Sequence, residues 1–146
     1  MTALSLLLCE VDYFKFYKDA RGQIAGDDCI QQIANTIHDC VRHQAILTGR
    51  SGGTKFAALL LHTDTIVAIE IADFIRQQVK ALGITHDQSK VGGFPSQFVT
   101  VSIGAASTTP LAQSSPEMLI AAAEEALLQS KRKGRDRVTL GQVESM

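Results

Sequence analysis

The chain has 146 residues, which fits one domain, and its content of 45% apolar and 20% charged residues excludes an intrinsically disordered protein. The formal net charge of −1 excludes a general electrostatic attraction to nucleic acid or to an anionic membrane surface. An anionic ligand would therefore have to be held by a local cluster of cations.

The first predicted element is a strand over residues 4–9, where an almost continuous apolar run is typical of burial on both faces. This strand closes on two acids, Glu10 and Asp12. Residues 13–25 mix aromatic, basic and glycine residues without a clean period. They predict a short helical turn followed by a loop.

The next element is a long helix that is predicted to open at Gly26. Apolar residues recur at helical spacing over residues 30–41, which indicates an amphipathic helix with one buried face. Asp27 or Asp28 is the expected N-cap, because a carboxylate there can accept a hydrogen bond from an N–H of the first turn.

A hairpin follows this helix. Residues 45–48 and 56–61 are strand-like runs, and the pair Gly52-Gly53 between them can supply the positive φ of a two-residue turn. Taken alone, this pattern predicts a turn and no chemistry. Its functional meaning depends on the segments that surround it.

The second helix is predicted over residues 66–82, with Asp64 or Thr65 as its cap and Gly83 as its end. Residues 85–96 then predict a surface loop, since they carry two glycines and a proline. The side chains expected to be buried by this helix are Ile66, Ile69, Ile71, Phe74, Ile75 and Val79.

The C-terminal third predicts a β-branched strand over residues 98–104, a helix from Ser114 or Ser115 to Gly134, and an edge strand over 137–140. Residues from about 141 to 146 are expected to form a flexible tail. The element order β-α-β-β-α-β-α-β predicts an α+β fold, a ferredoxin-like core with helices packed on a mainly antiparallel sheet.

The cysteines and histidines do not form a predicted metal site. The three cysteines, Cys9, Cys29 and Cys40, lie in apolar patterns without zinc-like spacing and are expected to be buried free thiols of a reducing cytosol. The histidines also lack metal-ligand spacing, and we expect them on the surface. They are His38, His43, His62 and His86.

Acids and the hairpin tip are expected to meet at one rim of the sheet. Glu10 and Asp12 point the same way because side chains alternate along a strand, and residues 52–55 lie beside them in this fold. A catalyst that joins nucleotides needs two or three carboxylates to hold a divalent metal against a triphosphate. The alternative is that the two acids are solvated and simply close the strand.

Several segments together resemble the GGDEF family of diguanylate cyclases, and the match covers nearly the whole chain in order and at fitting spacing. The resemblance implies a nucleotidyl-cyclase-like core and a reaction in which two domains each present one GTP to form cyclic di-GMP. The segments are residues 10–15, Asp19, Gly22, residues 26–27, 50–56, 101–104 and 126–127, and Lys131, Gly134 and Arg135.

The resemblance also implies where magnesium would be held, and the chain departs from the pattern there. Family members use the acid ending the first strand, the main-chain carbonyl after it and the first acid of the hairpin tip. The corresponding candidates here are Glu10, Val11 and, at the second acid of the strand end, Asp12. The signature-motif positions are Gly52, Gly53, Thr54, Lys55 and Phe56. A neutral residue and a cation thus replace two acids, so Lys55 is expected to repel magnesium or to pair with Glu10.

The nucleotide contacts implied by the resemblance are partly present. Lys15, Lys131 and Arg135 match triphosphate contacts and have suitable chemistry, although a solvated basic helix end is the alternative. Asp27 matches a guanine contact, whereas Lys18 stands where an Asn is expected and offers only donors. The candidate nucleotide-binding residues are Lys15, Lys18, Asp27, Gly52, Gly53, Lys131 and Arg135.

The sequence favours a degenerate GGDEF domain that lacks cyclase activity and acts as a regulatory, nucleotide-sensing or protein-interaction module in bacterial cyclic di-GMP signalling. The alternative is an active diguanylate cyclase with a rearranged metal site. No cofactor is expected, and Mg²⁺ would be needed only if GTP is bound in the family manner. The expected partners are GTP or another guanine nucleotide, other domains of the same protein, or a homodimer partner.

The chain is expected to be a single domain, residues 1–146, of a longer protein. The expected location is the cytoplasm, with an anchor to the membrane only through segments outside this sequence. Nucleic acid binding is not expected, because the net charge is −1. Direct membrane insertion is not expected either, because no apolar run reaches the length of a membrane span.

Overall fold

The computed structural model describes residues 3–51, 53–86, 97–109 and 115–143. These residues form five strands and four helices. The strands are β1 (Leu4–Val11), β2 (Ala45–Ser51), β3 (Lys55–Leu61), β4 (Val101–Thr108) and β5 (Val138–Leu140). The helices are α1 (Phe14–Arg21), α2 (Gln23–Val41), α3 (Thr65–Ala81) and α4 (Pro116–Arg132).

The strands form one sheet in the order β2-β3-β1-β4-β5, with β1 at its centre. The pairs β2–β3, β3–β1 and β1–β4 are antiparallel, and only β4–β5 is parallel. The prediction of an α+β fold with a mostly antiparallel sheet is therefore confirmed.

Helices cover both faces of the sheet. On one face α4 packs on Leu6 and Leu8 of β1 and on Ala106 of β4. On the other face α2 and α3 enclose a larger core with Leu7 and Cys9 of the same strand. The alternation of β1 side chains between the two cores follows from the two-residue repeat of a strand. It explains why the sequence of β1 is apolar throughout.

Helix α4 lies unusually close to the sheet at Gly104. A β-carbon added there would collide with the backbone of Ala123 and Leu127, and one added to Gly141 would collide with the carbonyl of Ala122. Glycine is therefore required at both positions for the helix to reach this depth. The depth matters for function because the C-terminal end of α4 leads directly into the candidate site.

The first long helix starts earlier than predicted. Helix α2 begins at Gln23, after Gly22 with a φ of 93°, so Asp27 and Asp28 are interior residues and do not cap it. Gly26 is buried inside the helix, where an added β-carbon would press on Lys18 and Phe14 at 3.3 Å. The residue predicted to open the helix instead allows α1 to pack closely on α2.

The hairpin is wider than predicted. Ser51 pairs with Lys55, so three residues connect the strands, and Gly53 is not among the described glycines that have a positive φ. Gly52 lies outside the described residues. The prediction of a two-residue turn is wrong, although both predicted strands are present.

The phase of α3 also differs from the prediction. Its bounds and its cap are confirmed, since the Val67 N–H donates to Asp64 Oδ1 at 3.0 Å. However, Ile66 is 70% exposed and Phe74 is 49% exposed. The buried face consists of Ala68, Ala72, Ile75 and Val79. Small side chains bring this helix close to the sheet, which ranking residues by hydrophobicity did not anticipate.

Later elements agree in type and differ in bounds. The fourth strand begins at Val101 instead of residue 98, because the segment before it pairs with the segment that follows α3, as in the bridge between Phe98 and Thr85. Ser115 is the cap of α4, and its hydroxyl accepts from the Met118 N–H at 3.3 Å. The predicted helix end and edge strand are confirmed to within a few residues.

Two smaller predictions are corrected and one is confirmed. His86 is buried rather than on the surface, with its ring edge-on to that of Tyr17. Val143 packs against the core and the Gly141 N–H donates to the Ala105 carbonyl at 2.7 Å, so residues 141–143 are not a loose tail. The cysteines are free, as predicted, and two of them are buried.

No helix in the described part of the chain is long and apolar enough to cross a membrane.

Candidate functional site

A cleft of about 530 Å³ opens where β1 ends, between α1, the start of α2, the tip of the β2–β3 hairpin and the segment after α4. Glu10 and Val11 lie at the β1 side of this cleft. Most of the residues that were singled out from the sequence line it as well: Lys15, Lys18, Asp27, Gly53, Thr54 and Arg135. The topology thus gathers residues from three separate stretches of the chain, 10–30, 50–54 and Arg135, at one edge of the sheet.

Asp12 is an internal anchor and does not face the cleft. Its side chain is fully buried, and its carboxylate accepts hydrogen bonds from the hydroxyls of Thr100 at 2.8 Å and Ser102 at 2.6 Å. It also accepts from the Asp136 N–H at 3.1 Å. Burial raises the pKa of this carboxyl, while the three hydrogen bonds and the nearby Arg135 partly oppose the rise.

Glu10 is bound by a cation of the chain itself. The Lys131 ammonium, on the last turn of α4, donates to Glu10 Oε1 at 2.7 Å, and both side chains are about three-quarters shielded from solvent. We expected Lys55 to take this role, since it lies directly opposite Glu10 in the β1–β3 register. The described residues contain no ion pair between these two, so Lys131 occupies that position instead.

Arg135 enters the cleft from the segment after α4. Its guanidinium lies 4.6 Å from the centre of the Tyr13 ring and 3.8 Å from Asp12 Oδ1. Tyr13 itself has a left-handed backbone, with a φ of 53°, at the junction between β1 and α1. The stacking and the nearby carboxylate together hold Arg135 at the mouth of the cleft.

The donor set does not fit a magnesium ion in the manner that the resemblance implies. Glu10 is paired with Lys131, the oxygens of Asp12 are already hydrogen-bonded, and Thr54 contributes no charge at the hairpin tip. Across the described ranges, no cluster of three or more His, Cys, Asp or Glu side chains is placed to hold a metal. The assignment of Glu10, Val11 and Asp12 to a metal stays a prediction, and this geometry does not favour it.

The part of the cleft formed by α1 and α2 carries groups suited to a base edge. Lys18 and Asp27 both line it, as the resemblance implies, and Asp27 Oδ1 accepts from Gln23 Nε2 at 2.8 Å. Gln23 was not predicted to take part, because the start of α2 was placed three residues too late. Asp27, Gln23 and Lys18 therefore offer a carboxylate, an amide and an ammonium group to a ligand.

Arg50 is a second residue that the sequence analysis missed. Its guanidinium donates to the Gly53 carbonyl through Nε at 3.0 Å and Nη2 at 2.6 Å, which holds the hairpin tip beside the cleft. The sequence did contain a signal, since Arg50 lies two residues before the glycine pair, but the role of Arg50 depends on the width of the hairpin. Lys55, Phe56 and Lys131 are not part of the lining, and Phe56 is buried in the core.

A family model described as "Diguanylate cyclase, GGDEF domain" matches residues 1–137. Among curated proteins, Diguanylate cyclase A of Treponema denticola is 35% identical over 137 residues, which are 94% of this chain and 35% of that protein. Probable diguanylate cyclase DgcT of Escherichia coli is 34% identical over 142 residues, 97% of this chain and 30% of that protein. The chain thus spans about a third of the length of these relatives.

Solved structures show the same similarity. The GGDEF domain of DgcB from Caulobacter crescentus, solved in complex with c-di-GMP, has a TM-score of 0.80 and 28% identity, with 95% of this chain and 78% of that chain covered. Diguanylate cyclase SiaD of Pseudomonas aeruginosa, solved with its activator SiaC, has the same TM-score and identity, with coverage of 96% and 50%. The chain belongs to the GGDEF domain family, in which its named relatives are diguanylate cyclases.

Proposed function

We propose that this domain binds a guanine nucleotide through its phosphates without a metal ion and does not form cyclic di-GMP. In this role it is a degenerate GGDEF domain that senses a nucleotide or contacts protein in cyclic di-GMP signalling. The observation that carries the proposal is the ion pair between Lys131 and Glu10 beside a hairpin tip that bears Thr54 and Lys55. Both the strand-end acid and the tip have lost the free negative charge that a magnesium ion requires.

The charge of the cleft supports an anionic ligand. Its lining cations are Lys15, Lys18, Arg50 and Arg135, and its lining acids are Glu10 and Asp27. Because Lys131 neutralises Glu10, the cations outnumber the unpaired acids. Arginine and lysine side chains bind phosphate by charge-assisted hydrogen bonds, so phosphate is the ligand chemistry that this surface fits.

The proposal includes partners and a location. The relatives are about three times as long as this chain, so the domain is proposed to act beside other domains of a cytoplasmic protein or a second copy of itself. The SiaD structure contains an activator protein, which supports protein contact as part of the role. The competing proposal of an active cyclase rests on the preserved cleft alone.

Thermal unfolding with GTP, first in magnesium and then in EDTA, tests the proposal. A ligand at about 100 times its dissociation constant adds close to 3 kcal/mol, or roughly 5–10 °C in the unfolding midpoint of a domain of this size. We expect the same upward shift in both buffers. Guanosine, which lacks phosphates, is expected to give a much smaller shift.

Matched variants locate the ligand. Lys15→Ala is expected to reduce the GTP shift, whereas Lys133→Ala, an exposed lysine just after α4 that does not line the cleft, is expected to preserve it. A shift that requires magnesium would support the enzyme alternative. The absence of any shift with GTP would leave a domain that binds only protein.

A further inference from the structure

The segment that presents Arg135 has an unusual backbone. Three consecutive residues have positive φ values, 126° at Gly134, 67° at Arg135 and 46° at Asp136. A non-glycine residue is rarely left-handed, and two in succession persist only where the surrounding contacts enforce the conformation. The contacts that enforce it here therefore determine where the Arg135 guanidinium lies.

One set of contacts fixes the main chain from inside. The Arg135 N–H donates to the Ser130 carbonyl at 2.9 Å, and the Asp136 N–H donates to Asp12 Oδ2 at 3.1 Å. Asp12 is itself immobilised by Thr100 and Ser102. The buried carboxylate thus connects β4 to the segment after α4.

A second set fixes the Asp136 side chain from outside, and it comes from α3. Asp136 Oδ1 accepts from Arg76 Nη1 at 3.1 Å, and Asp136 Oδ2 accepts from Lys80 Nζ at 2.8 Å. Arg76 is steadied in turn by Asp73, whose Oδ1 lies 2.8 Å from Arg76 Nε. A single exposed ion pair contributes little to stability. Here two cations bind different oxygens of one carboxylate, which fixes the orientation of the Asp136 side chain.

We propose that Asp136 is a positioning residue. Through it, Arg76 and Lys80 of α3 hold Arg135 in the conformation that binds a phosphate of the ligand. The inference rests on the proposed function, since it concerns the same cleft. It extends that function to α3, a helix that does not line the cleft and whose sequence gave no indication of a role.

The test is the affinity for GTP in EDTA, measured by calorimetry on the whole domain. Asp136→Asn keeps the backbone N–H and a side chain that tolerates the left-handed conformation, but it removes the charge that binds Arg76 and Lys80. We expect the affinity for GTP to fall about three- to tenfold, because a misplaced Arg135 keeps only part of its charge-assisted hydrogen bond to phosphate. Glu70→Gln is the matched control, since it removes one negative charge from an exposed position of the same helix that is outside the contacts of Asp136, and it is expected to change affinity less than about twofold.

A double substitution separates positioning from a general structural effect. Arg135→Ala is expected to weaken GTP binding about tenfold, and adding Asp136→Asn to it is expected to cost nothing further, because the guanidinium to be positioned is absent. Independent, additive losses would overturn the proposal. An unchanged affinity for Asp136→Asn alone would overturn it as well.

Hydrogen exchange of residues 134–138 distinguishes failure of this inference from failure of the proposed function. These amides are expected to exchange at least about tenfold faster in Asp136→Asn than in Glu70→Gln, with or without nucleotide. If the unaltered domain fails to bind GTP, the proposed function is wrong. Faster exchange in Asp136→Asn would still support the role of Asp136 in fixing the backbone conformation of residues 134–138. Equal exchange in the two variants would show that α3 does not hold the segment, whatever the affinity for GTP.

Discussion

Lys131 Nζ lies 2.7 Å from Glu10 Oε1, although 121 positions separate the two residues in the chain. The family resemblance implies that one of them binds metal and the other binds phosphate. Here each satisfies the other, which removes one negative charge from the metal position and one positive charge from the phosphate position. The pairing therefore predicts how each part of the cleft responds to substitution.

Glu10→Gln is expected to strengthen GTP binding in EDTA by about three- to tenfold, because it removes an acid from the cleft and releases Lys131 for a phosphate. Calorimetry in EDTA measures the change. Glu124→Gln, which removes an exposed acid from the same helix that carries Lys131, is the control and is expected to have a small effect. Weaker binding in Glu10→Gln would show that the carboxylate contributes to the ligand site.

Thr54→Asp combined with Lys55→Glu is expected to make GTP binding depend on magnesium, by roughly tenfold, because two acids are returned to the hairpin tip beside Glu10. The GTP-induced shift in unfolding midpoint, compared in magnesium and in EDTA, measures the effect. Thr109→Asp with Lys133→Glu applies the same change of charge at exposed positions outside the cleft lining. Magnesium-dependent binding by the unaltered domain would contradict the proposal of a metal-free site.

Asp12→Asn is expected to change the pH dependence of stability. Burial raises the pKa of Asp12 above 3.8, so the folded state binds more protons than the unfolded chain between the two values. The free energy of unfolding of the unaltered domain should therefore fall, relative to Asp12→Asn, as the pH rises through this window. One proton limits the slope to at most about 1.4 kcal/mol per pH unit, and urea unfolding at a series of pH values measures it.

Asp73 provides a control of opposite sign. The hydrogen bond from Arg76 lowers the pKa of Asp73 below 3.8, so its stabilising contribution is present above that pH and is lost as the pH falls. Relative to Asp73→Asn, the unaltered domain should therefore gain stability as the pH rises. A slope of the same sign for Asp12 would mean that its hydrogen bonds and Arg135 outweigh burial.

Gly104→Ala is expected to destabilise the domain by about 1–3 kcal/mol or more, because the new methyl group collides with the backbone of α4. Gly49→Ala is the matched control on the same sheet, since nothing lies within 4 Å of an added β-carbon there. It should change stability by less than about 1 kcal/mol. Chemical denaturation of both variants measures the difference, and equal effects would show that α4 can move away from the sheet.

Local patterns in the sequence predicted the elements well where one feature dominates. The apolar run of β1, the Asp64 cap of α3 and the Ser115 cap of α4 are all short-range signals, and the structure has each of them. The errors arose where packing decides. Ile66 and Phe74 are exposed because alanines allow α3 to approach the sheet, and Gly26 is inside α2 because α1 needs the space.

The candidate site shows the same division. Its candidate residues came from the family resemblance, and three of them, Lys15, Lys18 and Arg135, line one cleft. Its electrostatics could not be predicted, because the partner of Glu10 is set by how far α4 reaches across the sheet. The anchoring of Asp12 by Thr100 and Ser102 likewise joins segments about ninety residues apart, which no local pattern encodes.

The contact of Gly104 with α4 also limits how the helix can move relative to the cleft. At Gly104 and at Gly141 the backbone of α4 rests directly on the facing main chain, and side chains pack around these two points of contact. A piston-like shift of α4 would have to break this contact, so Lys131 keeps a fixed height above the sheet. A change at the C-terminal end of α4 is therefore expected to reach the cleft through its ion pair between Lys131 and Glu10, and not through sliding of the helix.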